Sequence, residues 1–442
     1  MRRPANGPAT ACPRLANSRF DPSLSRCRSF SGMLERNLVL PMTPQAHSPL
    51  RLAQIGPILA LVVLVMAGNG MVVPMMSLYA LQFNVSGALV GMMVTLFGVG
   101  RLVANIPAGM ASERWGRKPF ICLGPAIIVV GAFGAALADE FAPLLFWRFV
   151  QGVGSGVYLT VSATVLVQIS RVGQRGRIIA LYQGALLFGI GIGPGIGGFL
   201  VAWFGFAAPF WAFGIVALIA LFVAIFCFEE PASEPIADGA SGAPPPSLRG
   251  LLTSAPFLFL SLIHFGVFFT RTASQWVTIP LIGAATFNMP IETIGLALTL
   301  IATANFVMLP IVGPVVDRVG SRVVTICSTL ATAVSLAMIA LAQDLATFWA
   351  ALALMGIAGA FNGPSVGAAL ADRMPRGLQG PAMGVQRVVG DAGFVVAPIF
   401  VGVIYDATTL GYEGAVWINA VLMAVAAALF AFGARRETPP KA

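Results

Sequence analysis

Residues 109 to 118 read Gly109-Met110-Ala111-Ser112-Glu113-Arg114-Trp115-Gly116-Arg117-Lys118, and residues 313 to 322 read Gly313-Pro314-Val315-Val316-Asp317-Arg318-Val319-Gly320-Ser321-Arg322. The stretches lie 204 positions apart. The same shift aligns Phe83-Asn84 with Phe287-Asn288, and Gly152, Gly176, Gly189, Pro194 and Gly198 with Gly356, Gly380, Gly393, Pro398 and Gly402. A single offset held over this length marks an internal duplication. In each copy a glycine permits a tight turn, the basic residues suit anionic headgroups, and the acid can accept hydrogen bonds from a neighbouring helix N-terminus.

What surrounds these stretches is apolar. Of 442 residues 57% are hydrophobic and 10% charged, against about 25% charged in a soluble domain, which excludes an ordinary cytosolic enzyme. Apolar runs of about 20 residues, enough to cross a bilayer, recur from Ile55 to Phe432. Twelve spans are predicted: 55–80, 87–111, 119–138, 142–168, 178–202, 207–228, 254–282, 291–316, 322–342, 346–370, 381–404 and 414–433. The sequence therefore predicts an all-α membrane protein of two six-helix repeats.

Charge placement sets the topology. Basic residues cluster at Arg114, Arg117 and Lys118, at Arg171, Arg175 and Arg177, at Arg249, at Arg318 and Arg322, at Arg373 and Arg376, and at Arg435, Arg436 and Lys441. The intervening loops hold Asp139, Glu140, Glu292, Asp344, Asp406 and Glu413 and no Lys or Arg. Basic loops stay in the cytoplasm, so both termini are expected there, with the chain multi-pass in the cell (inner) membrane. Trp147, Trp203, Trp211, Trp276, Trp349 and Trp417 then fall near outer ends, as interfacial residues do. Trp115 sits in a cytoplasmic loop.

The expected organisation is a basic N-terminal extension (1–51), a six-helix bundle (52–228), a Pro, Ala and Gly-rich cytoplasmic linker (229–250), a second six-helix bundle (251–436) and a short tail (437–442). The extension is Arg-rich, with no apolar stretch of signal-peptide length. It reads as a disordered extension, with a transit peptide or a true start at Met33 or Met42 as alternatives. The net charge of +9 divides between this extension and the retained loops, so nucleic acid is not an expected partner. Cys12, Cys27, Cys122, Cys227 and Cys327 show neither disulfide nor zinc spacing. No phosphate-binding glycine loop accompanies them, so no cofactor or metal and no catalysis is expected.

Two further motifs stand inside spans. The fourth contains Arg148-Phe149-Val150-Gln151-Gly152-Val153-Gly154, and the fifth contains Gly189-Ile190-Gly191-Ile192-Gly193-Pro194-Gly195-Ile196-Gly197-Gly198. Gly189, Gly193 and Gly197 share one face, fit for close helix packing, and Pro194 favours a bend. With the repeated loop motif, these stretches resemble the major facilitator superfamily over about residues 52 to 436, and within it the bacterial drug:proton antiporter branch. The resemblance implies two parallel six-helix repeats rocking about a midplane site, with helices 1, 4, 5, 7, 8, 10 and 11 lining it. It also implies a gating loop in which Glu113, where the family has Asp, meets the cytoplasmic start of helix 11 when the transporter faces outward. Gly109, Arg114, Gly116, Arg117, Lys118, Asp317 and Arg318 complete that loop and its copy. The signature at Gly189, Gly193, Pro194, Gly197 and Gly198 implies outward transport, and Arg148 implies proton coupling, with snorkelling to water as the alternative.

Charges within the spans are few: Arg101, Arg148, Arg271, Arg387 and Asp391, with His264 the one other readily titrated group. Asp391 is the single deep carboxylate and the leading proton carrier. Arg387, four residues earlier on the same face, makes a structural ion pair the alternative. The expected cavity residues are Asn69, Met75, Gln151, Tyr158, Arg271, Gln275, Asn305 and Asn362, with the proton-coupling set Arg148, His264, Arg387 and Asp391. Basic groups outnumbering the acid favour an anionic or neutral substrate. The expected function is proton-coupled efflux of a small organic molecule by a monomer in the lipid bilayer. Metabolite uptake, by symport or facilitated diffusion, and a transporter-like sensor without transport are the alternatives.

Overall fold

Backbone polar groups in a bilayer have no water to bond, so apolar runs of this length must close their own hydrogen bonds as helices. The computed structural model describes residues 52–169, 175–230, 254–373, 379–408 and 411–433. Among them are twelve helices long and apolar enough to span. They are α1 (Ile55–Leu81), α2 (Gly87–Trp115), α3 (Lys118–Ala136), α4 (Phe141–Leu166), α5 (Leu181–Phe204) and α6 (Ala208–Cys227), then α7 (Ala255–Ala285), α8 (Ile291–Val319), α9 (Ser321–Leu341), α10 (Leu345–Arg373), α11 (Val385–Ala407) and α12 (Gly411–Gly433). The N-terminal extension, all but the first two residues of the linker, and the tail lie outside the described residues. So do Arg171, Arg249, Arg376, Arg435, Arg436 and Lys441.

The duplication is visible in backbone conformation. Asn84 and its counterpart Asn288 both adopt positive φ, 50° and 49°, and Gly116 and Gly320 turn at 86° and 94°. Asparagine tolerates the left-handed region better than other side chains, so both copies end the first span of each repeat with the same turn. Helices α2 and α8 are offset by the same shift at both ends.

Within the first six helices α2 packs on α4 and α1 on α5, and in the second six α8 packs on α10 and α7 on α11. The two sets meet along two seams. In the α2–α11 seam a Cβ on Gly402 would strike the Gly87 carbonyl, and one on Gly91 would strike the Pro398 carbonyl. Farther along, the Thr95 hydroxyl donates to the Val395 carbonyl at 2.8 Å. In the α5–α8 seam Gly198 lies against Ile291, Gly295 against the Pro194 carbonyl and Gly191 against Ala302. There the Gly195 N–H donates to the Thr299 hydroxyl at 2.9 Å.

Both seams run from the ends predicted to face outward and stop near mid-membrane. The α5–α8 seam ends at the contact of the Phe188 and Phe306 rings, 5.8 Å between centres, and beyond the α2–α11 seam, towards the predicted cytoplasmic ends, Leu102 and Val388 are exposed. The two sets are thus closed over the ends predicted to face outward and part towards those predicted to be cytoplasmic.

Asp406, at the predicted outer end of α11, helps to hold that closure. Its carboxylate accepts hydrogen bonds from the N–H groups of Gly87 and Ala88, at 2.9 and 3.0 Å, and so caps α2 from the opposite set. Another outer-loop acid, Asp344, caps α10 by accepting from the N–H and hydroxyl of Thr347 at 2.8 and 2.7 Å. Those hydrogen bonds hold the Asp344 carboxyl below its ordinary value.

Candidate functional site

Two helices of the interface are locally irregular. A 3-10 turn at Val73–Met75, with Pro74 unable to donate, interrupts α1. In α7 the backbone is π-helical over Arg271–Thr278, a widening found often at functional sites. Both irregular stretches border one cavity of about 110 Å³. Its wall includes Pro74, Arg271, Gln275, Trp276, Asn305, Thr332 and Asn362. Of the residues expected there, Arg271, Gln275, Asn305 and Asn362 do line it.

The other expected cavity residues are placed elsewhere. Asn69 and Met75 are buried within α1. Tyr158 is fully buried and its hydroxyl donates to the Ile58 carbonyl at 3.3 Å, tying α4 to α1. Gln151 donates to the Gly131 carbonyl at 2.9 Å and accepts from Arg148 at 2.7 Å. The cavity draws on α1, α5, α7, α8, α9 and α10. Compared with the expected set, α4 and α11 are missing and α9 is added through Thr332, whose hydroxyl accepts from the Asn362 amide at 2.9 Å.

Arg148 does not snorkel. It has no exposed surface, its Nε donates to the Met93 carbonyl at 3.3 Å, and its guanidinium sits 4.7 Å from the centre of the Phe97 ring. Directly and through Gln151, these contacts join α2, α3 and α4, and no carboxylate is among them. Carbonyl and amide acceptors rather than a counter-ion offset part of the cost of burying the charge, while the Nη2 nitrogen has no hydrogen-bond partner.

Asp391 lies where the α2–α11 seam ends. Its nearer partner is Arg101 of α2, at 2.8 Å across the two sets. Arg387 is 3.6 Å away with a side chain 57% exposed, against 14% for Arg101 and 7% for Asp391. The pairing expected from spacing alone is therefore the weaker one. Arg101 also lies 5.1 Å from the centre of the Phe394 ring, one turn outward on α11. His264 stands beside this centre on α7, against Gly390 and 5.1 Å from the ring of Phe268.

The antiporter-like stretch of α5 packs on two faces. A Cβ on Gly189, Gly193 or Gly197 would strike the α1 backbone at Val63, Gly70 or Met71. Gly191, Gly195 and Gly198 face α8, and Pro194 lines the cavity. In the repeated loop Glu113, Arg114, Asp317 and Arg318 are exposed. With the inner ends apart, Glu113 makes no hydrogen bond to α11 among the described residues. Glu230, just past α6, takes the Arg117 N–H at 2.6 Å and the Lys118 N–H at 3.4 Å. It lies beside Gly116, whose φ of 86° disfavours any side chain there and where a Cβ would come within 3.2 Å of the Glu230 carboxylate. Gly109 faces Thr160, while Gly313 has open space around it.

Sequence reasoning did not anticipate Glu230, the Asp406 cap, Thr332 or the Arg101–Asp391 pair. Asp406 and Glu230 were legible only as acids near helix ends.

A sequence model of the Major Facilitator Superfamily matches residues 58–273 and 260–442. An uncharacterized MFS-type transporter of Methanocaldococcus jannaschii is 21% identical, over 77% of this chain and 88% of that protein. Multidrug resistance protein 2 of Bacillus subtilis is 29% identical over 38% of this chain and 41% of its own length. Among solved structures, a point mutant of the nucleoside transporter NupG shares the fold with a TM-score of 0.70 at 14% identity, covering 86% of this chain and 99% of that one.

Proposed function

The chain belongs to the Major Facilitator Superfamily, and on that footing we propose that it is a proton-coupled exporter of a small organic molecule working by alternating access. The observation that carries this reading is the Arg101–Asp391 pair, formed between the two six-helix sets where the closed outer seam ends. Leaving one member of a buried pair without its partner costs about 3 to 5 kcal/mol. Opening the outer seam pulls on this pair and brings both groups towards external water, where a proton taken up by Asp391 ends its hold on Arg101 and hydration of the freed guanidinium offsets that cost. Reclosing the outer seam and releasing the proton inward restores the pair and the inward-open form described above.

Three features support export. The α5 signature ties α5 to α1 and α8 together, so that motion of one set is transmitted to the other at the cavity. Asp391 is flanked by two guanidinium groups, with His264 of α7 against the neighbouring Gly390, so the one deep carboxylate sits among polar groups beside the gate. The Bacillus subtilis relative is named for multidrug resistance. In this reading both termini are cytoplasmic, the chain works as a monomer, and Arg148 holds α2, α3 and α4 together rather than carrying a proton.

Direction is tested in inverted membrane vesicles, using a solute found by counterflow screening in proteoliposomes. Acidifying the vesicle interior drives accumulation if the protein is an exporter. Accumulation only when the outside of the inverted vesicle is acid contradicts export and supports uptake.

A further inference from the structure

Of the four arginines away from the ends of the spans, Arg101, Arg148, Arg271 and Arg387, three have partners. Arg101 and Arg387 reach Asp391, and Arg148 reaches Met93 and Gln151. For the side chain of Arg271 no ion pair or hydrogen bond is found among the described residues, and it lies in the wall of the central cavity. That wall contains no Asp or Glu. An arginine held at membrane depth without a counter-charge is costly, and a ligand that supplies the charge recovers that cost.

Its surroundings are polar and aimed at one place. The π-helical stretch starts at Arg271 and puts Arg271, Gln275 and Trp276 into the same cavity. Across from α7 stand Asn305, Thr332 and Asn362. The carboxamide oxygens of Asn305 and Asn362 have no hydrogen-bond partner, a condition that costs free energy when the group is buried. Gly359 leaves space beside the Asn305 amide, where a Cβ would come within 3.2 Å.

We propose that this cavity binds a hydroxylated organic anion, with its carboxylate on the Arg271 guanidinium and its hydroxyl donated to Asn305 or Asn362. This deepens the exporter reading and rests on it for the movement of the anion, though not for its binding. Arginine meets a carboxylate with two parallel N–H donors, and the unpartnered amide oxygens accept from the hydroxyl. Trp276 and Pro74 close the wall against the apolar part of the molecule.

The test uses the purified full-length protein and three probe pairs that keep the hydroxyl and change the charge: lactate and lactamide, salicylate and salicylamide, gluconate and glucitol. Tetraphenylphosphonium serves as the cationic probe. Binding is read as thermal stabilisation and by equilibrium dialysis, with counterflow of the same probes measured in parallel. The expected result is that at least one anion binds at least about tenfold more tightly than its uncharged partner, consistent with a charged hydrogen bond. Arg271→Gln is expected to remove that preference and Arg271→Lys to keep part of it. Asn305→Asp, which puts a carboxylate into the wall, is expected to weaken anion binding even if Arg271→Gln fails to fold. Absence of binding by every anion, or binding unchanged in Arg271→Gln and Asn305→Asp, overturns the proposal. Anion binding without counterflow contradicts the exporter reading and supports the anion site. Counterflow of lactamide or tetraphenylphosphonium with no anion binding does the reverse.

Discussion

Asp391 has two guanidinium groups within reach, and their burial decides which of them matters. Arg101 is nearly enclosed and 2.8 Å away, whereas more than half of the Arg387 side chain meets solvent at 3.6 Å. Exposed pairs contribute about 0 to 1 kcal/mol, while removing one partner of a buried pair costs about 3 to 5 kcal/mol. Arg101→Gln is therefore expected to lower the melting temperature in detergent far more than Arg387→Gln. The double variant Arg101→Gln with Asp391→Asn is expected to recover much of the loss, because no unpaired charge remains. Equal losses from the two single arginine variants would contradict this assignment. The four-residue spacing of Arg387 and Asp391 was legible in the chain. The pair with Arg101, 290 residues away, was not, since it exists only where two helices from different repeats meet.

On the scale of one helix, α5 carries the most specific prediction. Gly197 faces the Met71 carbonyl and Gly195 the hydroxyl end of Thr299, while Gly184 has open space around it. A methyl group at Gly197 must displace backbone, and overpacking of this kind costs about 1 to 3 kcal/mol. At Gly184 the same change only improves helix propensity, by up to about 1 kcal/mol. The expected order of melting temperature is Gly184→Ala above the parent protein, then Gly195→Ala, then Gly197→Ala, and any other order would sink the assignment of two packed faces to this helix. The face formed by Gly189, Gly193 and Gly197 followed from their four-residue spacing, but the second face towards α8 did not, because one helix does not reveal its second neighbour. The cap of α10 adds a small pH effect. The Asp344 carboxyl is held below its ordinary value by Thr347, so its contribution is present above the unfolded carboxylate range and is lost as pH falls through the lowered folded value. Asp344→Ala is expected to flatten the acid limb of a melting-temperature series.

Across the whole molecule, charge placement and the 204-residue repeat made the twelve spans and their two sets readable in advance, because every span had to be long and apolar. The state of the gates was not readable, since the same contacts must form and break in turn. Asp406 caps the start of α2 while the outer ends are closed. The resemblance places Glu113, at the end of α2, against the start of α11 in the opposite state. By this pseudo-symmetry Asp406→Ala is expected to shift the protein towards the outward-open form and Glu113→Ala towards the inward-open form. Labelling of cavity cysteines from outside should rise in the first and fall in the second, and a shift of both in one direction would contradict the exchange of caps. The proposed cycle turns on Asp391 carrying the coupled proton, and the decisive experiment is flux through the Asp391→Asn protein in proteoliposomes, with and without an imposed pH gradient. Loss of pH-driven accumulation is expected, with solute exchange at equal pH persisting. Accumulation at the parent level in that variant would show that the proton travels elsewhere.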